Sequence, residues 1–354
     1  MRKCYISRDY PTVKNAGGKA KTDIEAIAQE MGMVNIGLRQ TVGCSKPVHF
    51  VRNLWGAVLA ALRLRKGDVL LLQYPMKKYY TWMCKAAHRN GATVVTIIHD
   101  LGSFRRKALT VDQEIRRLNH SDAIIVHNPT MKQWLTSHGC RARLTTLGIF
   151  DYLGSPSAQS PAQSAQSHEA STVNRVPRHS VFFVGSLHSK NNAFIYELGT
   201  HIQRSHLYLY GNAYQPELAN PETMTCMGFA RDTDLMASCQ GDYGLSWYGD
   251  SLEEGKGRIG EYMQYNNPHK VSLYLRCGVP VILSKTAGLA SFVQENGIGI
   301  CVDDLTDLDR VLDTVDATQY EQMRQNVARV AAQIASGHHF RSAYARCLAA
   351  GPLL

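Results

Sequence analysis

The stretch from residue 154 to residue 180 divides this chain into two parts that repeat the same pattern. It is rich in Ser, Ala, Gln and Pro and poor in bulky apolar side chains, so it cannot bury enough surface to order itself. On each side, short apolar segments alternate with amphipathic segments of helical period, as in parallel sheets covered by helices. The sequence therefore predicts two α/β domains, at residues 1–153 and 181–337, joined by a flexible linker at 154–180.

The apolar segments predict the strands of two parallel, Rossmann-like sheets. The predicted strands are residues 3–7, 34–38, 69–74, 93–99, 123–126, 144–147, 181–185, 207–210, 243–247, 279–283 and 299–302. Helices are predicted at 19–31, 50–64, 80–90 and 130–138, and from about 190, 232, 268, 287, 305 and 318. A last helix at 338–354 could cross back to close the first domain. Two such domains facing each other leave a cleft between them, and ligands bind at the carboxyl ends of the strands.

The composition is that of a globular protein without membrane spans. The chain has 354 residues, 44% of them hydrophobic, and a mean hydropathy of -0.23. No apolar run approaches the roughly 20 residues that cross a bilayer, and the first residues lack the apolar segment of a signal peptide, so a cytoplasmic location is expected. Nine cysteines without a Cys-x-x-Cys pair predict reduced packing residues rather than a zinc site or disulfides.

The net charge of +10 is unevenly distributed. Residues 1–110 carry 19 Lys and Arg against 6 Asp and Glu, whereas the remainder is slightly acidic. Such a basic segment predicts a surface that contacts the inner membrane peripherally or binds an acceptor linked to a polyprenyl diphosphate. A merely solvated basic face remains an alternative, and nucleic acid is disfavoured because no nucleic-acid-binding motif accompanies the charge. Trp55 and Trp82 could serve a homo-oligomer interface, although core packing is the favoured interpretation.

The segment Tyr265-Asn266-Asn267-Pro268-His269-Lys270 predicts an anion-binding site. Asn267 can cap a helix, Pro268 suits its first turn, and a basic pair follows. The helix ends at a glycine and leads into an apolar strand, so its amino end would lie at the edge of a parallel sheet, where phosphates bind. An ordinarily capped helix with solvated basic side chains is the alternative.

Gly17 and Gly18 follow the first predicted strand and open the first predicted helix. Glycines there allow the backbone to approach a sugar or a phosphate closely. Their spacing matches neither the dinucleotide-binding fingerprint nor the nucleotide-triphosphate loop, and a plain turn is an equal alternative.

Asp100 and its neighbour His99 follow a strongly apolar predicted strand. A carboxylate at that position could accept a proton from an acceptor hydroxyl, so Asp100 is the preferred catalytic base. Alternatively, Asp100 caps a turn while His99 packs against a neighbouring loop. Asp9, after the first strand, is a weaker candidate for the same role.

The second half repeats the arrangement of strand, glycine and helix start around Lys190. Tyr210 and Gly211 end the next predicted strand, where an aromatic ring could stack a base and a glycine could admit its edge. Turn chemistry explains these residue types equally well.

The acidic residues of the second half do not predict a metal site. Asp232 and Asp234 are interpreted as a helix cap rather than an Asp-x-Asp metal motif. Glu253 and Glu261 have the interval of a paired-glutamate signature but are expected in a glycine-rich loop. No obligatory metal or other cofactor is expected.

Residues 244–247 and 260–282, centred on Asn266-Asn267-Pro268-His269-Lys270, resemble the donor-site segment of bacterial galactofuranosyltransferases and the related adhesin-modifying glucosyltransferases. The Gly17-Gly18 segment and residues 98–101 are similar to that group as well. The resemblance covers most of the chain apart from the linker. It implies the GT-B fold, a UDP-activated sugar, inversion at the anomeric carbon and no metal.

The resemblance also implies roles for individual residues. It assigns the diphosphate to Lys270 and the start of its helix, with Lys190 as a second cation. The implied nucleotide-sugar residues are Asn266, Asn267, His269, Lys270, Lys190, Tyr210, Gly211, Phe229, Gly17 and Gly18, and the implied catalytic residues are Asp100 and His99. Ser272, Leu273 and Tyr274 stand where retaining families have a second glutamate, which favours inversion.

The function implied is transfer of a hexose, galactofuranose by preference, from a UDP-sugar to a glycan acceptor in surface polysaccharide or glycoconjugate assembly. Two alternatives are a UDP-glucose-dependent glucosyltransferase acting on a glycoprotein and a sugar-nucleotide epimerase on a similar scaffold. A non-catalytic protein with a degenerate site is a third.

Overall fold

The computed structural model describes residues 1–7, 16–41, 46–76, 79–105, 109–154, 179–253 and 257–349. It divides the chain into two compact units, the first made of residues 1–152 with the segment from Ser336 onward, and the second of Leu153–Ala335. Most of the stretch proposed as a linker, residues 155–178, lies outside the described residues, and residues 179 and 180 belong to a strand.

The first unit is built on a six-stranded parallel sheet. Its strands are β1 (Lys3–Tyr5), β2 (Val34–Asn35), β3 (Val69–Tyr74), β4 (Thr93–Ile98), β5 (Ala123–Val126) and β6 (Arg143–Thr146), in the order β2-β1-β3-β4-β5-β6. Its helices include α1 (Ala16–Glu30), α2 (Lys46–Arg63), α3 (Tyr80–Arg89), α4 (Gly102–Arg105), α5 (Val111–Leu118) and α6 (Pro129–Ser137). The residues of β3 are all buried, as expected for a parallel strand covered on both faces.

The second unit has a six-stranded parallel sheet of its own. Its strands are β7 (His179–Ser186), β8 (Ser205–Asn212), β9 (Met224–Gly228), β10 (Tyr243–Ser246), β11 (Val281–Ser284) and β12 (Gly299–Val302), in the order β12-β11-β10-β7-β8-β9. Its helices are α7 (Ser189–Asn192), α8 (Phe194–His201), α9 (Asp232–Ser238), α10 (Gly257–Met263), α11 (His269–Arg276), α12 (Ala290–Asn296), α13 (Leu308–Asp313) and α14 (Ala317–Ala335). The chain thus winds outward from β7 in one direction and from β10 in the other, which is the Rossmann order.

The last helix, α15 (His338–Ala349), belongs to the first unit, where it packs against β5, β6 and α1. Asp151 accepts hydrogen bonds from the backbone amides of His339 (3.1 Å) and Phe340 (2.7 Å) at the start of this helix. The buried carboxylate therefore caps α15. It links this helix to the end of the segment 1–152 of the same unit.

Some sequence predictions are wrong in detail. The sheet of the second unit has an edge strand, β9, that the sequence analysis does not predict. Only one of its five residues is buried, so its apolar pattern is weak. The glycine-rich segment after residue 256 is the helix α10, and Glu261 lies within it. Trp55 and Trp82 are not core residues, since 56% and 42% of their surfaces are exposed.

No helix in the described parts of the chain is both long and apolar enough to cross a membrane.

Candidate functional site

The crevice at the carboxyl ends of β7 and β10 is the candidate site of the second unit. These two strands are neighbours, and the direction of winding reverses between them. Loops that leave such a pair of strands diverge to opposite faces of the sheet, so a ligand can reach the strand ends there.

Helix α11 is anchored directly at this crevice by Tyr274. Its buried hydroxyl donates a hydrogen bond to the Leu245 carbonyl (3.0 Å) on β10 and accepts one from the Val184 amide (3.0 Å) on β7. The ring lies so close to Gly244 that a Cβ there would be 2.3 Å from it. One side chain therefore links α11 to both strands of the crevice.

Lys270 lies in the first turn of α11 and places its amine between two aromatic rings. Its Nζ is 4.1 Å from the ring centroid of Phe183 on β7 and 4.1 Å from that of Tyr248, just after β10. The residue keeps part of its surface exposed, yet burial of the ammonium lowers its pKa to about 7. The structure thus places a titratable amine at the switch point of the sheet.

The start of α11 differs from the sequence prediction by one position. Pro268 is the N-cap, with extended backbone angles, and His269 is the first helical residue. The prediction that Asn267 caps the helix with Pro268 inside it is therefore wrong, and Asn267 is instead buried. No side chain of the N-cap residue bonds the amides of this turn, because proline has no side-chain acceptor. The backbone amide of Asn266 donates a hydrogen bond to the Tyr262 carbonyl (3.1 Å), just before this turn.

A pocket adjoins this crevice on the β10 and β11 side. Tyr248, which contacts the Lys270 amine, also lines the pocket together with Trp247 and Pro268. The other lining residues are Ser246, Gly260, Met263, Gln264, Leu283, Ser284, Thr286, Ala287 and Leu289. Its polar groups are hydroxyls, a side-chain amide and backbone, and they lie among apolar side chains.

The remaining candidates of the second unit are spread along the sheet edge. Lys190 is exposed in the short helix after β7. Tyr210 is buried, and its hydroxyl accepts a hydrogen bond from the Gln240 amide (2.8 Å), so its ring is engaged in the core. Gly211 lies opposite Gly185, and a Cβ on it would be 1.8 Å from the Gly185 carbonyl, so close strand packing requires glycine there. Phe229 is exposed beyond the edge strand β9, two strands away from β7.

The acidic motifs of this unit stay apart. Asp234 pairs with Arg231 (3.0 Å) in the first turn of α9, and the pKa of this carboxyl is lowered by that hydrogen bond. The backbone of Glu253 forms an isolated antiparallel β-bridge with that of Asp304. Glu261 lies in α10, so the two glutamates do not share a helix. Among the described residues, no three or more His, Cys, Asp and Glu side chains are grouped as metal ligands.

In the first unit, His99 and Asp100 directly follow β4. The His99 Nε2 donates to the Gln73 side-chain oxygen (2.6 Å), and its ring stacks on Phe150 with centroids 5.5 Å apart. The imidazole is therefore engaged as a packing and hydrogen-bonding group. Asp100 is half-buried at the start of the loop.

Glu114, a buried residue of α5, forms hydrogen bonds with the backbone that follows Asp100. Its carboxylate accepts hydrogen bonds from the Gly102 amide (2.8 Å), the Ser103 amide (2.9 Å) and the Tyr74 hydroxyl (2.8 Å). These bonds cap α4 and hold the backbone that follows Asp100.

Gly17 and Gly18 lie in the first turn of α1 rather than in a loop. Next to them, Lys19 contacts both oxygens of Asp23 at 2.6 Å and lies over the Tyr152 ring. Asp9, the alternative base, lies outside the described residues.

Two domain families match the chain. Residues 3–149 match the glucosyltransferase 3-like N-terminal domain, and residues 181–347 match the glucosyltransferase 3-like C-terminal domain. The chain belongs to the glucosyltransferase 3-like family. It is therefore a glycosyltransferase, as its curated relatives are.

Relatives of this glucosyltransferase 3-like chain include the β-1,6-galactofuranosyltransferase WbbI of Escherichia coli K12, which is 28% identical over 343 residues and 93% of each chain. Glucosyltransferase 3 of Streptococcus gordonii is 24% identical over 281 residues, covering 77% of this chain and 76% of the relative.

Solved structures similar to this glucosyltransferase 3-like chain include Anabaena Alr3699/HepE in complex with UDP and glucose. The TM-score is 0.57 at 13% identity, over 98% of this chain and 100% of that one. WaaG, a glycosyltransferase of lipopolysaccharide biosynthesis, gives 0.54 at 11% identity, over 99% of this chain and 100% of that one. With its two parallel sheets, the family member has the GT-B fold.

Sequence reasoning about this family member missed the residues that set the site's geometry. Phe183 and Tyr248 flank the Lys270 amine, Tyr274 anchors its helix, and Glu114 supports the Asp100 loop. Each acts on a residue distant in the sequence, so no local pattern marks it.

Proposed function

We propose that this chain is an inverting, metal-independent hexosyltransferase that uses a UDP-sugar, with galactofuranose as the preferred sugar. The proposal is supported by the 28% identity to a β-1,6-galactofuranosyltransferase over 93% of both chains. It is carried by the position of the Lys270 amine, at the carboxyl ends of β7 and β10 between two aromatic rings.

Lys270 is assigned to the diphosphate of the donor. A diphosphate bound beside the amine would meet a positive charge that is already positioned and partly desolvated, which strengthens their attraction. The amides of the first turn of α11 add the positive end of a helix dipole. The ammonium thereby takes the place of a metal ion as the leaving UDP gains charge.

Asp100 is assigned to the acceptor. A hydroxyl oxygen of the acceptor attacks the anomeric carbon while the bond from that carbon to the diphosphate oxygen breaks. The hydroxyl proton passes to Asp100, and UDP leaves with the bonding electrons. A single displacement of this kind inverts the configuration at the anomeric carbon. His99 is assigned to positioning, because its bond to Gln73 and its stacking on Phe150 hold the backbone before Asp100.

The test begins with the donor. The full chain is heated with UDP-galactofuranose, UDP-galactopyranose, UDP-glucose or UDP-N-acetylglucosamine, and a bound donor should raise the unfolding temperature. Transfer to a glycan acceptor is then followed in the presence of EDTA, with the anomeric configuration of the product read by NMR. We expect UDP-galactofuranose to give the largest shift and an inverted product with EDTA present.

The variant Asp100→Asn is expected to bind the donor like the parent and to lose transfer. Transfer at the parental rate would remove Asp100 as the base. Retention of configuration or loss of transfer in EDTA would overturn the mechanism, and conversion of the donor without any acceptor would indicate an epimerase.

A second candidate is glucosyl transfer, favoured by the relatives that are named glucosyltransferase 3. The same panel distinguishes it, because UDP-glucose would then give both the largest thermal shift and the product.

A further inference from the structure

The outward face of α2 is an exposed apolar surface on the first unit. Val48, Val51, Trp55 and Leu62 follow one another at intervals of three, four and seven residues, so they lie along one side of the helix. Val51 and Leu62 expose 61% and 77% of their surfaces. Phe50 and Leu54, also exposed, lie beside this stripe. We call these six residues the α2 face.

The opposite side of the same helix is already used for packing. The buried residues on that side are Gly56, Ala57 and Ala60, and Leu64 just after the helix is buried as well. A helix that is apolar on both sides is normally enclosed, so an exposed second apolar side indicates an interaction surface. The neighbouring helix α3 also carries an exposed tryptophan, Trp82.

The sequence that includes α2 is strongly cationic. Between residues 31 and 99 the sequence has ten Lys and Arg but a single acidic residue, Asp68. Asp68 is buried and bonded to the Arg2 guanidinium, with 3.0 Å between Arg2 Nε and an Asp68 oxygen. Arg63, Arg65 and Lys66 at the end of α2 are exposed. An apolar stripe with tryptophan and an excess of basic residues is the pattern of a helix that lies in a membrane interface.

We propose that the α2 face docks on the surface of an anionic lipid bilayer. Trp55, Phe50 and the aliphatic residues of the stripe would enter the headgroup region, while the basic residues meet lipid phosphates. A second copy of the chain would bring two cationic surfaces together, and this repulsion disfavours it as the occupant. An anionic bilayer satisfies both the apolar and the charged features. The proposal goes beyond the proposed function and does not depend on it.

The test measures binding of the full-length chain to vesicles. Flotation is compared for vesicles of phosphatidylcholine mixed with phosphatidylglycerol and for phosphatidylcholine alone. We expect binding to the anionic vesicles that weakens with added salt, and at least tenfold weaker binding to the neutral ones. The fluorescence of Trp55 should shift to shorter wavelength on binding, and Trp55→Phe should remove most of that shift.

The variant Val51→Ser with Trp55→Ser should bind anionic vesicles at least tenfold more weakly than the parent. Both residues are exposed, so the fold should survive, and an unfolding temperature like that of the parent, with an unchanged circular dichroism spectrum, serves as the check. Leu218→Ser, at an exposed apolar residue of the second unit, is the matched control and should bind like the parent.

Equal vesicle binding by the parent and the double variant would overturn the proposal. So would an absence of binding to anionic vesicles. A concentration-dependent dimer in ultracentrifugation that the double variant abolishes, without vesicle binding by the parent, would assign the α2 face to a second copy instead.

Discussion

Lys270 is a residue whose charge depends on what lies beside it. The two rings at 4.1 Å attract the ammonium, each by about 0.5 to 2 kcal/mol. Burial opposes the charge more strongly, so the pKa falls to about 7. Near neutral pH the side chain is therefore divided between ammonium and amine, and a bound diphosphate would favour the ammonium.

This balance predicts a pH dependence of donor binding. Below a pH of about 7 the ammonium is already formed, whereas above it binding must take up a proton. We expect the affinity for the UDP-sugar to weaken as the pH rises from about 7 to about 9, by up to about tenfold per pH unit. Isothermal titration across this range measures the affinity, and buffers of different ionisation enthalpy reveal the proton uptake.

Lys270→Met is the control for that experiment, because methionine keeps apolar contact with both rings and cannot titrate. Its affinity should be lower than that of the parent at a pH of about 7 and should not vary above it. The variant should be no less stable to heat, since it removes the cost of burying an ammonium. A parental affinity that is constant from neutral to alkaline pH would contradict the assignment of Lys270 to the diphosphate.

At the scale of elements, the Tyr274 hydroxyl is a contact that links helix α11 to both strands of the crevice. Tyr274→Phe would leave the Val184 amide and the Leu245 carbonyl without their bonds to that hydroxyl, at a cost of about 1 to 3 kcal/mol. We expect this loss in the free energy of unfolding, measured in urea, together with weaker binding of the UDP-sugar because Lys270 shares the helix.

Tyr320→Phe is the matched variant on α14, where the Tyr320 hydroxyl donates to the Asp242 carbonyl (2.9 Å). This variant loses a hydrogen bond to a backbone carbonyl, so it should lower the free energy of unfolding and leave the donor affinity unchanged. An equal loss of affinity in both variants would mean that stability alone, rather than the position of α11, governs binding.

Elements with a strong local signal were predictable from the sequence, and the contacts that make the site were not. The bounds of β3, β5 and β12 are confirmed as predicted, because each is a short apolar run between breaks in the pattern. The motif singles out Lys270 as a candidate, and its role at the donor stays a prediction. The aromatic neighbours of Lys270 were not predictable, because Phe183 and Tyr248 meet it only through the pairing of β7 with β10.

Exposure escaped prediction for a related reason. Trp55 and Trp82 have the apolarity of core residues, and composition cannot distinguish a buried face of a helix from a second, outward apolar face. The N-cap of α11 differed by one residue because Pro268 suits either side of a helix boundary, and only its backbone angles decide between them.

At the scale of the whole molecule, the chain leaves the first unit at residue 152 and re-enters it at Ser336. Asp151 lies at the point of departure and caps α15 shortly after the point of return. Burial raises the pKa of this carboxyl to about 7, although the two amide hydrogen bonds lower it. The link between the two ends of the first unit therefore carries a carboxyl that titrates near neutral pH.

The raised pKa predicts how the stability of this link varies with pH. In the unfolded chain an aspartate has a pKa of about 3.9, so between a pH of about 4 and about 7 the folded protein holds more protons at Asp151 than the unfolded chain. The contribution of this group is most favourable at the acidic end and is lost as the pH rises through about 7, by up to about 1.4 kcal/mol per pH unit. His339, with its pKa lowered to about 4 by burial, acts in the opposite direction over the same range.

Asp151→Asn separates the two effects, because asparagine can still accept a hydrogen bond and does not titrate, while His339 is unchanged. The free energy of unfolding of the first unit, followed by urea denaturation at several pH values, should favour the parent over the variant most near a pH of about 4. The difference should shift toward the variant as the pH approaches about 7. A difference that stays constant over this range would mean that the carboxylate is already ionised throughout, and that the helix dipole of α15 outweighs the cost of burying the charge.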